Sequence, residues 1–166
     1  MTSHEDAVVG VVALNGGEIV GRTRLQKTTY LLERSGLAVG FKYIYHNYGP
    51  FSVDVADAAD LAMYGERLSV EKQFGQYGVP YFTFNTDEDA PNEVGDLTAD
   101  EVRTRLATMR PYSSLVLELA ATIAYLQERK GMTPEEAERE VRLLKPAKAT
   151  DEFVAKAREL LGVLGL

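Results

Sequence analysis

Residues 52–84 read SVDVADAADLAMYGERLSVEKQFGQYGVPYFTF, and this stretch decides the fold. Ser52 is an N-cap residue ahead of a run that reaches Tyr64, and Gly65 closes it, so a helix is predicted over 52–64. Leu68–Phe74 and Val79–Phe84 read as strands around Gly75-Gln76-Tyr77-Gly78, which predicts a hairpin with a glycine-flanked loop. Pro80 in the second strand points to an edge position, because proline cannot donate to a ladder.

Upstream lie two more helices. Ala7, Val8, Val11, Val12 and Leu14 recur at helical spacing, with Ser3 and Asp6 as a capping pair and Asn15-Gly16-Gly17 as the stop. A second helix over Thr23–Ser35 opens on a Thr23/Gln26 capping box and closes at Gly36. Between it and the third helix, Phe41–Tyr48 is aromatic and β-branched and predicts a strand covered on both faces, broken by Gly49-Pro50. Three helices followed by a hairpin is the winged-helix order, here with one added strand.

Downstream, Asn85–Asp96 is an acidic connector that separates 1–97 from a helical half, 98–166; the two halves are expected to form one compact unit. Thr98 and Glu101 make a capping box ahead of Val102, Leu106 and Met109. Leu115–Arg129 is apolar over most of its girth and should be central, ending at Gly131. Thr133-Pro134-Glu135-Glu136 opens the next helix, with Ala137, Val141 and Leu144 inward and the pairs Glu135/Arg139 and Glu138/Arg142 outward. A last helix from Asp151 carries Phe153, Ala157, Leu160 and Leu161. The fold class is therefore α+β, mainly α: a winged-helix-like N-terminal half with a β-hairpin, packed on C-terminal helices.

The chain has 166 residues and no cysteine, which excludes disulfides, thiolate metal sites and cysteine nucleophiles. The two histidines, His4 and His46, show no metal-ligand spacing. Phosphate-cradling, nucleophile-elbow and dinucleotide motifs are all missing. Asp87-Glu88-Asp89 starts like a calcium loop, but Pro91 and Thr98 then occupy ligand positions. No catalytic, metal or cofactor-binding residue is predicted. The net charge of −7 works against nucleic acid and anionic lipid. The N-terminal MTSHED lacks signal-peptide character, and Leu115–Leu126 falls short of the ~20 apolar residues that span a bilayer. A cytoplasmic protein with no membrane partner is expected.

Candidate contacts come from charge. Gly21–Lys42 holds Arg22, Arg24, Lys27, Arg34 and Lys42 against Glu33 alone, a local +4. Asp54, Asp57 and Asp60 fall near one face of the third helix, which has no lysine or arginine. In a winged-helix reader of DNA that helix would present donors to base edges; here it would set carboxylates against phosphates. The aspartates are either a partner surface or counter-charges for the second helix. The hairpin has Lys72 as its one base, and its tip aromatics Phe74 and Tyr77 suit a protein contact or packing on the C-terminal helices, of which packing is expected.

Two clusters resemble a known family. Gly21-Arg22-Thr23-Arg24-Leu25-Gln26-Lys27 with Tyr30-Leu31, then Tyr45-His46-Asn47-Tyr48-Gly49-Pro50-Phe51-Ser52, resemble the YwgA-like proteins and, more distantly, the SocA/Panacea superfamily. Leu117–Ile123 and Leu144–Ala149 are similar to the first of these as well. The resemblance implies a non-enzymatic module: Panacea-type domains occur in antitoxins that neutralise toxins by direct binding, and the SocA type hands its toxin to a protease. It implies mainly structural roles for Leu25, Tyr30, His46, Tyr48, Gly49, Pro50 and Ser52. Gln26 and Lys27 are left with polar groups free to act, and Lys27→Glu should be thermally silent. The leading expectation is an antitoxin- or adaptor-like protein binder, its partner a toxin or protease system. A DNA-binding regulator using Arg22, Arg24 and Lys27 is the alternative, and an enzyme centred on His46 and Tyr48 ranks last.

Overall fold

The computed structural model describes residues 2–166. Helix α1 (His4–Leu14) starts where Asp6 N–H donates to Ser3 Oγ at 3.0 Å, and it runs through the middle of the N-terminal half with Val8, Val11 and Val12 fully buried. A strand that the sequence reading missed, β1 (Glu18–Val20), follows. Then come α2 (Arg22–Leu32), a turn through Glu33–Leu37 in which Ser35 and Gly36 leave helical geometry, a small hairpin β2 (Ile44–His46) and β3 (Gly49–Phe51), and α3 (Val53–Tyr64). The predicted hairpin is β4 (Ser69–Phe74) and β5 (Pro80–Asn85). The antiparallel sheet has the order β1-β5-β4, so β1 completes the winged-helix arrangement of helix, strand, two helices and wing.

Three local expectations are corrected. β5 is the central strand; Pro80 is tolerated because it opens β5, beyond the residues that β1 pairs, Thr83–Asn85. The Phe41–Tyr48 strand shrinks to Ile44–His46, since its partner stops at Phe51, where Ser52 begins α3 and leaves nothing to pair with residues 41–43. Phe41 and Tyr43 are nevertheless in the core, whereas Ile44, Tyr45, His46 and Tyr48 are exposed, so only part of this stretch is covered. The Thr23/Gln26 box does not form: α2 starts at Arg22 after Gly21, which has φ 96°, and Gln26 is used elsewhere.

A tight turn of β6 (Glu93–Val94) and β7 (Leu97–Thr98) leads into α4 (Ala99–Met109), α5 (Ser114–Lys130), α6 (Pro134–Leu144) and α7 (Asp151–Leu164). The boxes at Thr98/Glu101 and Thr133/Glu136 form as the sequence predicts. Helix α5 is central, with Leu117, Leu119, Ala120 and Ala121 fully buried between α2, α6 and α7. One hydrophobic cluster includes residues from α1 to α7. On α6 the expected i,i+4 pairs are replaced by longer-range ones: Arg142 reaches Asp151 at 2.6 Å, and Glu138 meets Arg158 at 3.2 Å. Leu144 is exposed; the inward place at that end goes to Lys145.

Candidate functional site

The quoted motifs converge on the β2–β3 hairpin. Leu25 enters the core. The Gln26 amide clamps Ser52 from both sides: Nε2 donates to the Ser52 carbonyl at 2.9 Å, and Oε1 accepts from the Ser52 N–H at 2.9 Å. Lys27 is 2% exposed, and its Nζ donates to the Pro50 carbonyl at 2.7 Å. Neither residue is free to act, and a surface role for Lys27 is overturned. Ser52 caps α3 by accepting from Val55 N–H at 3.3 Å. Tyr30 is buried edge-on against Tyr43, with ring centroids 4.9 Å apart. His46 is exposed with its ring 5.3 Å from Phe51, and among the described residues it makes no side-chain hydrogen bond.

Beneath the hairpin lies a polar cluster that the sequence reading did not assign. Glu118, on α5, is 3% exposed and receives Lys145 at 3.4 Å and Lys148 at 3.1 Å. Lys145 also donates to the Asn47 carbonyl at 3.3 Å, and the Lys148 ammonium sits 4.8 Å from the centre of the Tyr48 ring. The signal was present: Glu118 is a carboxylate inside the most apolar stretch of the chain, and a buried charge requires partners.

Burial pulls the Lys27 ammonium from its ordinary 10.5 to about 8, with Glu118 resisting and Lys145 and Lys148 reinforcing the shift. Between those values the unfolded chain binds more protons than the folded one. Stability should therefore rise as pH climbs from about 8 to 10.5, and the gain is lost again as pH falls through 8. The slope from this one proton approaches about 1.4 kcal/mol per pH unit. Lys27→Met should remove that component from urea-unfolding curves across the window. An equal slope in parent and variant would contradict the desolvated ammonium.

The outward face of the winged-helix half is different in kind. On α3 the inner positions Val55, Ala58, Ala59 and Ala62 are buried. Val53, Asp57, Asp60, Leu61 and Tyr64 recur at helical spacing on the solvent side, with Leu61 58% and Tyr64 87% exposed. Asp54 turns away from this stripe and accepts from the Lys42 N–H at 2.9 Å. Among the described residues none of the three aspartates forms an ion pair with α2, so the counter-charge reading is not realised. At the wing tip Phe74 and Val79 stand in solvent and Tyr77 is 91% exposed, so the expected packing on the C-terminal helices is corrected.

The basic segment is largely spent internally. Arg24 donates to the Tyr112 carbonyl, Arg34 pairs with Glu128 at 3.3 Å, and Lys27 is buried. Arg22 is exposed, with its guanidinium 4.7 Å from the Phe82 ring centre. The structure thus brings Gln26, Lys27, Gly49, Pro50 and Ser52 together, and Asp57 with Asp60, but does not join these two groups. The apolar members of the α3 stripe were legible as residues out of phase with Val55, Ala58 and Ala62.

No protein-family model matches the chain. It is similar to "Uncharacterized protein YwgA" of Bacillus subtilis (strain 168), 28% identical over 142 residues that cover 85% of this chain and 84% of that protein.

Proposed function

We propose that this protein is a non-enzymatic binding module, antitoxin- or adaptor-like, that contacts a basic protein partner through the outer stripe of α3 and the wing tip. One observation carries the reading: the helix that a winged-helix reader turns to DNA presents Val53, Asp57, Asp60, Leu61 and Tyr64, and no base. Aliphatic and aromatic anchors among carboxylates suit a protein surface with basic residues around an apolar centre. The distant SocA/Panacea kinship read from the motifs agrees with this, and the partner class it suggests is a toxin or a protease system. No helix among the described residues is long and apolar enough to cross a membrane, which accords with action in the cytoplasm. The alternative, a DNA-binding regulator, would act through Arg22, Arg24 and Lys27, two of which already donate to the Tyr112 and Pro50 carbonyls.

The test is affinity capture from native-host lysate after nuclease treatment, with the parent protein and a Leu61→Asp/Tyr64→Ala variant side by side. The parent should retain one stoichiometric basic protein, and the variant should lose it by at least tenfold at unchanged melting temperature. Salt-labile nucleic acid in untreated samples, with no protein partner, would favour the regulator instead.

A further inference from the structure

A cavity of about 540 Å³ lies where the α1–β1 turn, α2 and the end of α4 meet, with Asn15, Glu18, Arg24, Thr28 and Arg110 on its wall. Three of these side chains keep donor capacity that no carboxylate takes up among the described residues. Arg24 is half-buried; its guanidinium reaches the Tyr112 carbonyl, and it forms no ion pair among the described residues. Arg110 donates to Asn15 Oδ1 at 2.9 Å and likewise has no carboxylate partner there. Thr28 is 4% exposed, and its hydroxyl makes no hydrogen bond among the described residues. Neighbouring Thr29, by contrast, bonds the Leu25 carbonyl at 2.8 Å. A cation drawn from water without a counter-charge is costly, and burial accordingly lowers the Arg24 pKa.

We propose that this cavity binds a small phosphorylated metabolite, its phosphoryl oxygens held by Arg24, Arg110 and the Thr28 hydroxyl. Two guanidinium forks and a hydroxyl offer more donors than a single carboxylate group accepts, and they match the three free oxygens of a phosphoryl group. The volume is that of an ordinary small-ligand site. Glu18, exposed and unpaired among the described residues, also lines the cavity. It opposes a bare phosphate and favours a ligand with hydroxyl donors beside its phosphoryl group, which makes sugar phosphates the fitting class. This site is independent of the α3 surface.

Calorimetric titration of the full chain with inorganic phosphate and with ribose 5-phosphate, at constant ionic strength, tests this. One saturable site is expected, with ribose 5-phosphate the tighter ligand. Thr28→Val and Arg110→Gln should each weaken it about tenfold while leaving the free protein's melting temperature unchanged. Glu18→Gln should tighten inorganic phosphate. The proposal is overturned if no saturable binding occurs at millimolar ligand, or if binding survives the Thr28→Val/Arg110→Gln double variant.

Discussion

Glu118→Ala should melt about 10 °C below the parent protein. Among the described residues Glu118 is the one carboxylate facing Lys145 and Lys148, and it also offsets the desolvation of Lys27. Removing it leaves Lys145, itself buried, with the Asn47 carbonyl as the one partner of its ammonium among the described residues. Breaking a buried pair by deleting one partner costs about 3–5 kcal/mol, and each kcal/mol lowers the melting temperature of a domain this size by about 2–4 °C. The same principle gives a second expectation of opposite sign. Replacing Glu118, Lys145 and Lys148 together by methionine removes the stranded charge and should recover most of the loss. Thermal unfolding of the two variants checks both. A Glu118→Ala protein melting within a degree of the parent would mean that solvent already reaches the cluster.

Gly95→Ala should be at least as damaging, for a steric reason. Gly95 turns β6 into β7 at φ 56°, and a Cβ there would lie 1.8 Å from the Leu37 carbonyl oxygen and 3.0 Å from Val39 Cγ2. The obstacle is backbone, and Asp96 N–H donates to the same carbonyl at 2.8 Å, so relief requires the β6–β7 turn to move off the backbone at Leu37. Gly131 has a similar φ of 64° but open space around its Cβ position, which makes it the control. Gly131→Ala should cost about 1 kcal/mol for the left-handed backbone alone, and Gly95→Ala about 4 kcal/mol or more. Urea unfolding of the two variants separates conformational strain from close approach. Equal losses would show that the Leu37 contact yields.

What the sequence made legible was local. The caps at Ser3, Ser52, Thr98 and Thr133 each join residues three apart, and all four form. The wing was readable because its strands flank their own turn. β1 was not, because three residues show no period and its partner, Asn85–Thr83, lies more than sixty positions on. The site divides the same way. Gln26 and Lys27 looked free because Ser52 and Pro50, which hold them, are 26 and 23 residues downstream. Glu118 finds Lys148 across 30 residues. In the Thr23/Gln26 box a tertiary bond outcompeted a local one: Gln26 gains two backbone partners at Ser52 in place of one at the helix start. The acidic third helix could be read from sequence, but which aspartates face outward depended on Lys42, whose N–H takes Asp54 out of the stripe.

The most direct test of the binding surface is hydroxyl-radical footprinting of the free protein and of its captured complex, read at individual side chains. Leu61, Tyr64, Phe74 and Tyr77 are among the most exposed large apolar side chains, so all four should react strongly when free. If the α3 stripe and wing tip form the contact, these four become protected on binding, while Ile44, Leu143 and Val163, exposed elsewhere, stay unchanged. Protection confined to Tyr45, His46 and Tyr48 on the hairpin, with Leu61 and Tyr64 still reactive, would contradict the account.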